Sequence, residues 1–221
     1  MVCLNPDAKK IGVYGGSFDP VHNGHLRSAQ EVMQLCNLDE LRFVPSGNPP
    51  HRSRALVSAV HRRAMLKLAV ADVPGMVIDT RELERTQPSY SIDTLESIRA
   101  EVPHASLVLI IGMDQFSAFD TWHRWQELLQ RVDLAVLERP GETISAHARE
   151  LLKGALAERI SVLKVTQLEI SSSRIRHDLS QGLEIRFLVP YAVRNYIREN
   201  RLYASNVSMI STHSKNTGNT Q

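Results

Sequence analysis

Two histidines three residues apart, His22 and His25, stand in the stretch GGSFDPVHNGH, just after a short apolar run. At the start of a helix, that spacing projects both imidazoles toward the same side of the first turn. Gly15 and Gly16 let a ligand approach the backbone closely, and Asp19 with Pro20 fixes a turn. A helix opened by Asn23 or Gly24 presents unpaired N–H groups and a positive dipole end, which favour an anion. Two imidazole donors beside such an end describe a phosphate site. Two plainer readings stand beside it. Paired histidines can hold zinc, although Asp19 is the one further ligand type within the stretch, and a histidine near a helix start is often a cap or a surface residue. The dinucleotide fingerprint G-x-G-x-x-G and the phosphate loop ending in G-K-[ST] are both absent.

The elements that must position these residues alternate. KIGVYGG reads as a β-branched strand, NGHLRSAQEVMQLCN as a helix with Leu26, Ala29, Met33 and Cys36 on one face, and LRFVPS as a second strand. The pattern continues through a helix at Ser58 to Ala71, a strand MVIDT, and a helix from Ser91 to about Ala100. The strand SLVLIIG is nearly continuous in apolar residues, as a parallel strand covered on both faces should be. TWHRWQELLQR then reads as a helix, DLAVLER as a strand, SAHARELLKGAL as a helix and ISVLKV as a strand, with two closing helices near Ser172 and Pro190. The expected fold is α/β, a doubly wound and mostly parallel sheet with helices on both faces. The histidine stretch occupies its first strand-to-helix turn, and such folds bind ligands at the carboxyl ends of their strands.

Composition narrows the function classes. The 221 residues suggest one domain, expected over residues 10–203, with an N-terminal extension at 1–9 and a polar, disordered tail at 204–221. A formal net charge of +2 is too mild to argue for nucleic acid, although Arg52, Arg54, His61, Arg62 and Arg63 form one basic cluster that suits a small phosphorylated ligand. Cys3 and Cys36 match no zinc spacing and make no disulfide framework, which fits a reducing cytoplasm. The N-terminal residues lack an apolar signal core and LVLII is far too short to span a bilayer, so neither export nor membrane anchoring is expected.

GGSFDPVHNGH resembles the nucleotidyltransferase signature that pairs Gly-x-Phe-Asp-Pro with His-x-Gly-His, and ISSSRIR, Ile170 to Arg176, resembles its second half. Within that superfamily, PSGNPPHR, PSYSIDTL, IGMDQFSAFDTWHRW and LVPYAVRNYIRENRLY are similar to bacterial nicotinate-mononucleotide adenylyltransferases. The likeness runs from Lys10 to Tyr203. Ser17 and Ser173 stand where Thr is often found, and both residue types offer a hydroxyl.

The resemblance implies transfer of AMP from ATP, with Mg2+, to nicotinate mononucleotide in NAD biosynthesis. It assigns the catalytic roles to His22, His25 and Arg176. It places ATP against Gly15, Gly16, Ser17, Phe18, His22, His25, Gly112, Asp114, Ser172, Ser173 and Arg176, with Ser172 and Ser173 beginning a helix whose N-terminus faces the phosphates. The mononucleotide falls to Ser17, Phe18, Ser91, Thr94, Trp122, His51 and Arg52. No residue is assigned to a metal, since the motifs supply no carboxylate cluster and magnesium would ride on the triphosphate. Arg174 is expected to be a surface charge and Trp125 a core ring, while Asp114 could equally cap a helix. A pantetheine-phosphate adenylyltransferase usually has a hydroxyl residue where His22 stands, and a cytidylyltransferase has a different second motif. A non-catalytic nucleotide sensor is disfavoured by the retained histidines and Arg176, and a dehydrogenase by the missing glycine fingerprint.

Overall fold

A computed structural model describes residues 8–47, 57–138, 141 and 144–204. Strand β1 (Lys10–Gly16) leads into helix α1 (Asn23–Leu35), then β2 (Glu40–Pro45), α2 (Ala59–Val70) and β3 (Met76–Ile78). After α3 (Ser91–Glu101) come β4 (Ser106–Gly112), the short helix α4 (Met113–Ser117), a 3-10 turn at Phe119–Thr121 and α5 (Trp125–Arg131). The chain continues through β5 (Asp133–Leu137), α6 (Ala146–Leu151), β6 (Ile160–Leu163), α7 (Ser172–Ser180) and α8 (Tyr191–Glu199).

The six strands form one sheet in the order β3-β2-β1-β4-β5-β6, and every pairing is parallel. Strand polarity explains why. In β4 all of Leu107 to Ile111 is buried, and alternate residues feed opposite cores. Val108 and Ile110 face one core with residues of α1, α2, α7 and α8. Leu107, Leu109 and Ile111 face the other with residues of α3, α4, α5 and α6. The expected doubly wound α/β sheet is therefore what the chain forms. Its order reverses between β1 and β4, where the helices after the two strands leave on opposite faces and open a crevice.

Three expected elements differ in detail. The helix expected over TWHRWQELLQR starts only at Trp125, because Arg124 takes a left-handed backbone (φ 53°) and points its guanidinium at Glu96 and Glu127. Trp122 thus sits on an irregular turn. The expected helix from Ser145 ends at Leu151, and MVIDT pairs only through Ile78, since Asp79 and Arg81 turn into a charged cluster.

That cluster joins the β2–β3 edge to α3. Arg42, 8% exposed, pairs with Glu40, Asp79 and Glu101, and Arg81 bridges Asp79 and Glu101. Burial opposes ionisation of Asp79, but hydrogen bonds and charge from Arg81 and the charge of Arg42 outweigh it, holding the carboxyl below its ordinary 3.8. A depressed carboxylate stabilises the fold above its unfolded pKa, and that contribution fades as pH falls through the folded value. Asp79→Asn should cost on the order of 2 kcal/mol at neutral pH. In thermal unfolding followed against pH, the gap from wild type should narrow below about pH 4. A gap that stays constant would show that the charge of Asp79 contributes nothing.

Candidate functional site

β1 ends at Gly16, and residues 17–22 turn the chain into α1. Phe18 adopts a left-handed backbone (φ 47°), and the Asp19–Pro20 peptide is cis. The Phe18 ring is 1% exposed and packs edge-on against Tyr14, Phe43 and His25, so only its backbone can meet a ligand.

His22, at the N-cap, and His25, in the first turn, form a reciprocal capping box. The His25 amide donates to His22 Nδ1 and the His22 amide donates to His25 Nδ1, each at 3.3 Å. The rings stack with centroids 3.6 Å apart. A nitrogen that accepts carries no proton, so in each neutral ring the proton lies on Nε2. The Nδ1 atoms thus cap the helix while Nε2 carries the ring proton. The glycine between the histidines follows from the same packing, because a Cβ on Gly24 would come within 3.0 Å of His22 Nδ1.

The second motif reaches this loop from across the sheet. Ser171, and not Ser172, is the N-cap of α7, its hydroxyl accepting from the Arg174 amide at 3.2 Å. Ser172 is the first helical residue, and its hydroxyl donates to the Pro20 carbonyl at 2.9 Å. Arg176 Nη1 donates to the Asp19 carbonyl at 2.8 Å, and Nη2 to the exposed Ser173 hydroxyl at 3.2 Å. These bonds fix the guanidinium plane beside the first loop, and a guanidinium has five N–H donors. Arg174 is exposed and pairs with Asp178, as a surface charge does. The basic cluster expected near residue 60 divides: Arg62 is buried and donates to the Ser17 carbonyl at 2.9 Å, while His61 bonds the Tyr196 hydroxyl.

Beside Gly15 and Gly16 opens a cavity of about 360 Å³. The end of β4 forms its floor, Asp114 and Gln115 of α4 one side, and Trp122 and His123 another. Ser89, Tyr90 and Ser91 bring the start of α3 to the wall. No side chain caps α3, so its first amides point their N–H groups outward without one. Gly112 lies between β4 and α4, and its amide is met by the Gln115 side chain rather than by Asp114. Trp122 leans on Phe119 at 5.3 Å, and Trp125 packs against the core behind it. Thr94 is 2% exposed and stands behind the wall, donating to Glu82 and accepting from Arg85. His51 and Arg52 lie outside the described residues.

The structure thus brings together His22, His25, Ser172, Ser173 and Arg176 at one loop, with Gly15, Gly16, Ser91, Asp114 and Trp122 around the adjoining cavity. The sequence reading passed over Glu82, which also lines that cavity. Burial raises its carboxyl above the ordinary 4.5, against the Thr94 hydroxyl, the Arg85 charge and the Gly47 amide. No local motif marks Glu82, which the chain delivers only by looping back after β3. Ser89, Gln115 and His123 lay inside quoted segments without being singled out. Among the described residues, no group of three or more His, Cys, Asp or Glu is placed to hold a metal ion.

A family model described as cytidylyltransferase-like matches residues 13–178. The chain is 47% identical to a protein of Pseudomonas entomophila named "Probable nicotinate-nucleotide adenylyltransferase", over 90% of this chain and 97% of that one. It is 46% identical to a Pseudomonas putida protein of the same name, over 88% of this chain and 90% of that one. A solved structure of Plasmodium falciparum nicotinic acid mononucleotide adenylyltransferase, complexed with NaAD, superimposes with a TM-score of 0.70 at 20% identity, covering 88% of this chain and 97% of that one. At that identity the likeness is one of fold.

One position tests the cavity wall. A Cβ on Gly47 would overlap the backbone carbonyl of Glu82, which cannot move aside as a side-chain tip could. Gly47→Ala should therefore lose about 1–3 kcal/mol of stability, read as a fall of several degrees in Tm. An unchanged Tm would mean that the two segments separate freely.

Proposed function

This chain belongs to the cytidylyltransferase-like family and groups there with the nicotinate-nucleotide adenylyltransferases, and from that premise we propose how its residues divide the work. It transfers AMP from ATP to nicotinate mononucleotide, giving nicotinate adenine dinucleotide and pyrophosphate. A phosphate oxygen of the mononucleotide attacks the α-phosphorus of ATP. The new P–O bond forms as the bond to the β-phosphate breaks, and pyrophosphate leaves with that electron pair.

The observation that carries the assignment is the reciprocal capping box. A phosphate monoester has a second pKa near ~6, so at neutral pH the attacking oxygen is mostly ionised and needs no base. His22 and His25, with protons directed to Nε2, serve as donors to the ATP phosphates, and His25 stabilises the charge that builds on the transferring group. Arg176, oriented by the Asp19 carbonyl, supplies forked donors to the leaving phosphates together with Ser173 and the α7 N-terminus. Gly15, Gly16, Gly112 and Asp114 border the adenosine, while Ser17 and the Phe18 backbone lie between the two substrates. ATP enters as its magnesium complex. The donor set here is made of N–H groups, which suits anions, so the ion is held by the triphosphate and water.

The mononucleotide occupies the part of the cavity between Trp122 and the start of α3, with Trp122 against the pyridine ring. The uncapped start of α3 favours a carboxylate on that ring and meets the NH2 of an amide donor to donor. No helix among the described residues is long and apolar enough to cross a membrane. We assign the enzyme to the cytoplasm on its two cysteines, which make no disulfide framework.

Incubation with MgATP and a panel of phosphorylated acceptors, with products identified by mass, should give nicotinate adenine dinucleotide and pyrophosphate. Formation of a dephospho-coenzyme or a cytidylyl product instead would overturn the assignment. His25→Ala should lower kcat by a factor of about 10²–10³ and, by opening the capping box, cost about 1 kcal/mol of stability. A kcat loss under tenfold in a folded variant would remove His25 from the transition state. The acid mononucleotide should be preferred over its amide at least tenfold in kcat/KM, which needs only ~1.4 kcal/mol. Equal use of both would show that the α3 terminus does not face the ring substituent.

A further inference from the structure

The closing segment LVPYAVRNYIRENRLY carries a residue the reaction has not yet used. Past the end of α8, Arg201 and Tyr203 both take left-handed backbones (φ 50° and 64°), and the Leu202 amide closes the turn onto the Ile197 carbonyl at 3.0 Å. Aromatic residues seldom adopt that conformation, and it persists where the surroundings over-determine it. What it accomplishes is delivery: the Tyr203 hydroxyl donates to Asp19 Oδ1 at 2.7 Å, across 184 positions of sequence. Asp19 is 3% exposed. Burial and the Asp19 carboxylate push the Tyr203 pKa far above its ordinary value, so the phenol stays a donor.

The four residues Ser17 to Pro20 are held from outside at three of their four carbonyls and at the one carboxylate. The Ser17 carbonyl accepts from Arg62, the Asp19 carbonyl from Arg176, the Pro20 carbonyl from Ser172, and the Asp19 carboxylate from Tyr203. Tyr196 of α8 bonds His61, the neighbour of Arg62, so α2 and the C-terminal turn brace the loop together. Because Arg176 and Ser172 hang on the carbonyls of Asp19 and Pro20, a shift of this loop moves both halves of the phosphate site at once. Displacements near 1 Å in a reacting geometry can cost about 10²-fold in rate.

We infer that Tyr203 is a positioning residue for adenylyl transfer, acting through Asp19 to hold the first phosphate loop and Arg176 in register. This rests on the nucleotidyltransferase reading of that loop. In the full chain, Tyr203→Phe keeps the ring and removes only the donor. It should lower kcat about tenfold and leave the KM for nicotinate mononucleotide within twofold, since Trp122 and the start of α3, which take the pyridine ring, lie outside this loop, with Tm within a few degrees of wild type. Asp19→Asn keeps an acceptor oxygen and should lose less than Asp19→Ala. Adding Tyr203→Phe to Asp19→Ala should cause no further loss, because the two act through one bond. A kcat within twofold of wild type, or a loss that adds fully on top of Asp19→Ala, would overturn the inference. So would a loss that follows the unfolded fraction measured by circular dichroism. If wild type itself makes no dinucleotide, the reading of the site fails, and that result is seen before any variant is compared.

Discussion

Backbone carbonyls inside a tight turn have no neighbours of their own to bond, and in a buried turn each must find a donor elsewhere or lose about 1–3 kcal/mol. The turn after β1 meets that constraint with donors from distant segments. Arg62 comes from α2 and Ser172 and Arg176 from α7, while Tyr203, past the end of the last helix, adds a bond to the Asp19 side chain. Two sequence motifs about 150 residues apart become a single site because the second satisfies the backbone of the first. Each donor that fixes the loop also fixes what the loop presents.

The sheet supplies the rest of the geometry. With order β3-β2-β1-β4-β5-β6, the crossovers from β1 and β4 leave on opposite faces, so the space above their carboxyl ends is not filled by a helix. The histidine loop rises from β1 and Asp114 from the end of β4, and the adjoining cavity lies between them and the start of α3. A loop rich in N–H donors and a cavity partly lined by Trp122 thus sit side by side.

Much of this was legible in the sequence. The strand SLVLIIG announced a sheet covered on both faces, because its apolar run is unbroken yet too short for a buried helix. The histidine stretch was legible because all its parts are contiguous. Element ends were less so: Arg124 leaves helical geometry for the sake of Glu96 and Glu127, partners that no local window contains. The start of α7 at Ser172 was legible, but which of three consecutive serines caps it was not, since that depends on Pro20 drawing Ser172 away. Glu82, Arg62 and Tyr203 were beyond sequence reasoning for a common reason. Their partners are the Gly47 amide, the Ser17 carbonyl and the Asp19 carboxylate, all set by tertiary placement.

The capping box also binds two kinds of fitness together. Serine, aspartate and asparagine are the helix caps that peptides prefer, yet none of them at position 22 could offer a ring N–H while its other side holds the helix. A substitution there that strengthens α1 removes the donor, and one that weakens the cap lets the donor wander. On the donor role proposed for His22, screens that select only for heat resistance would favour the first kind and enrich for stable, inactive protein. Screens for activity would keep an imperfect cap, and in this fold the beginning of the first helix is where thermal robustness and turnover pull against each other.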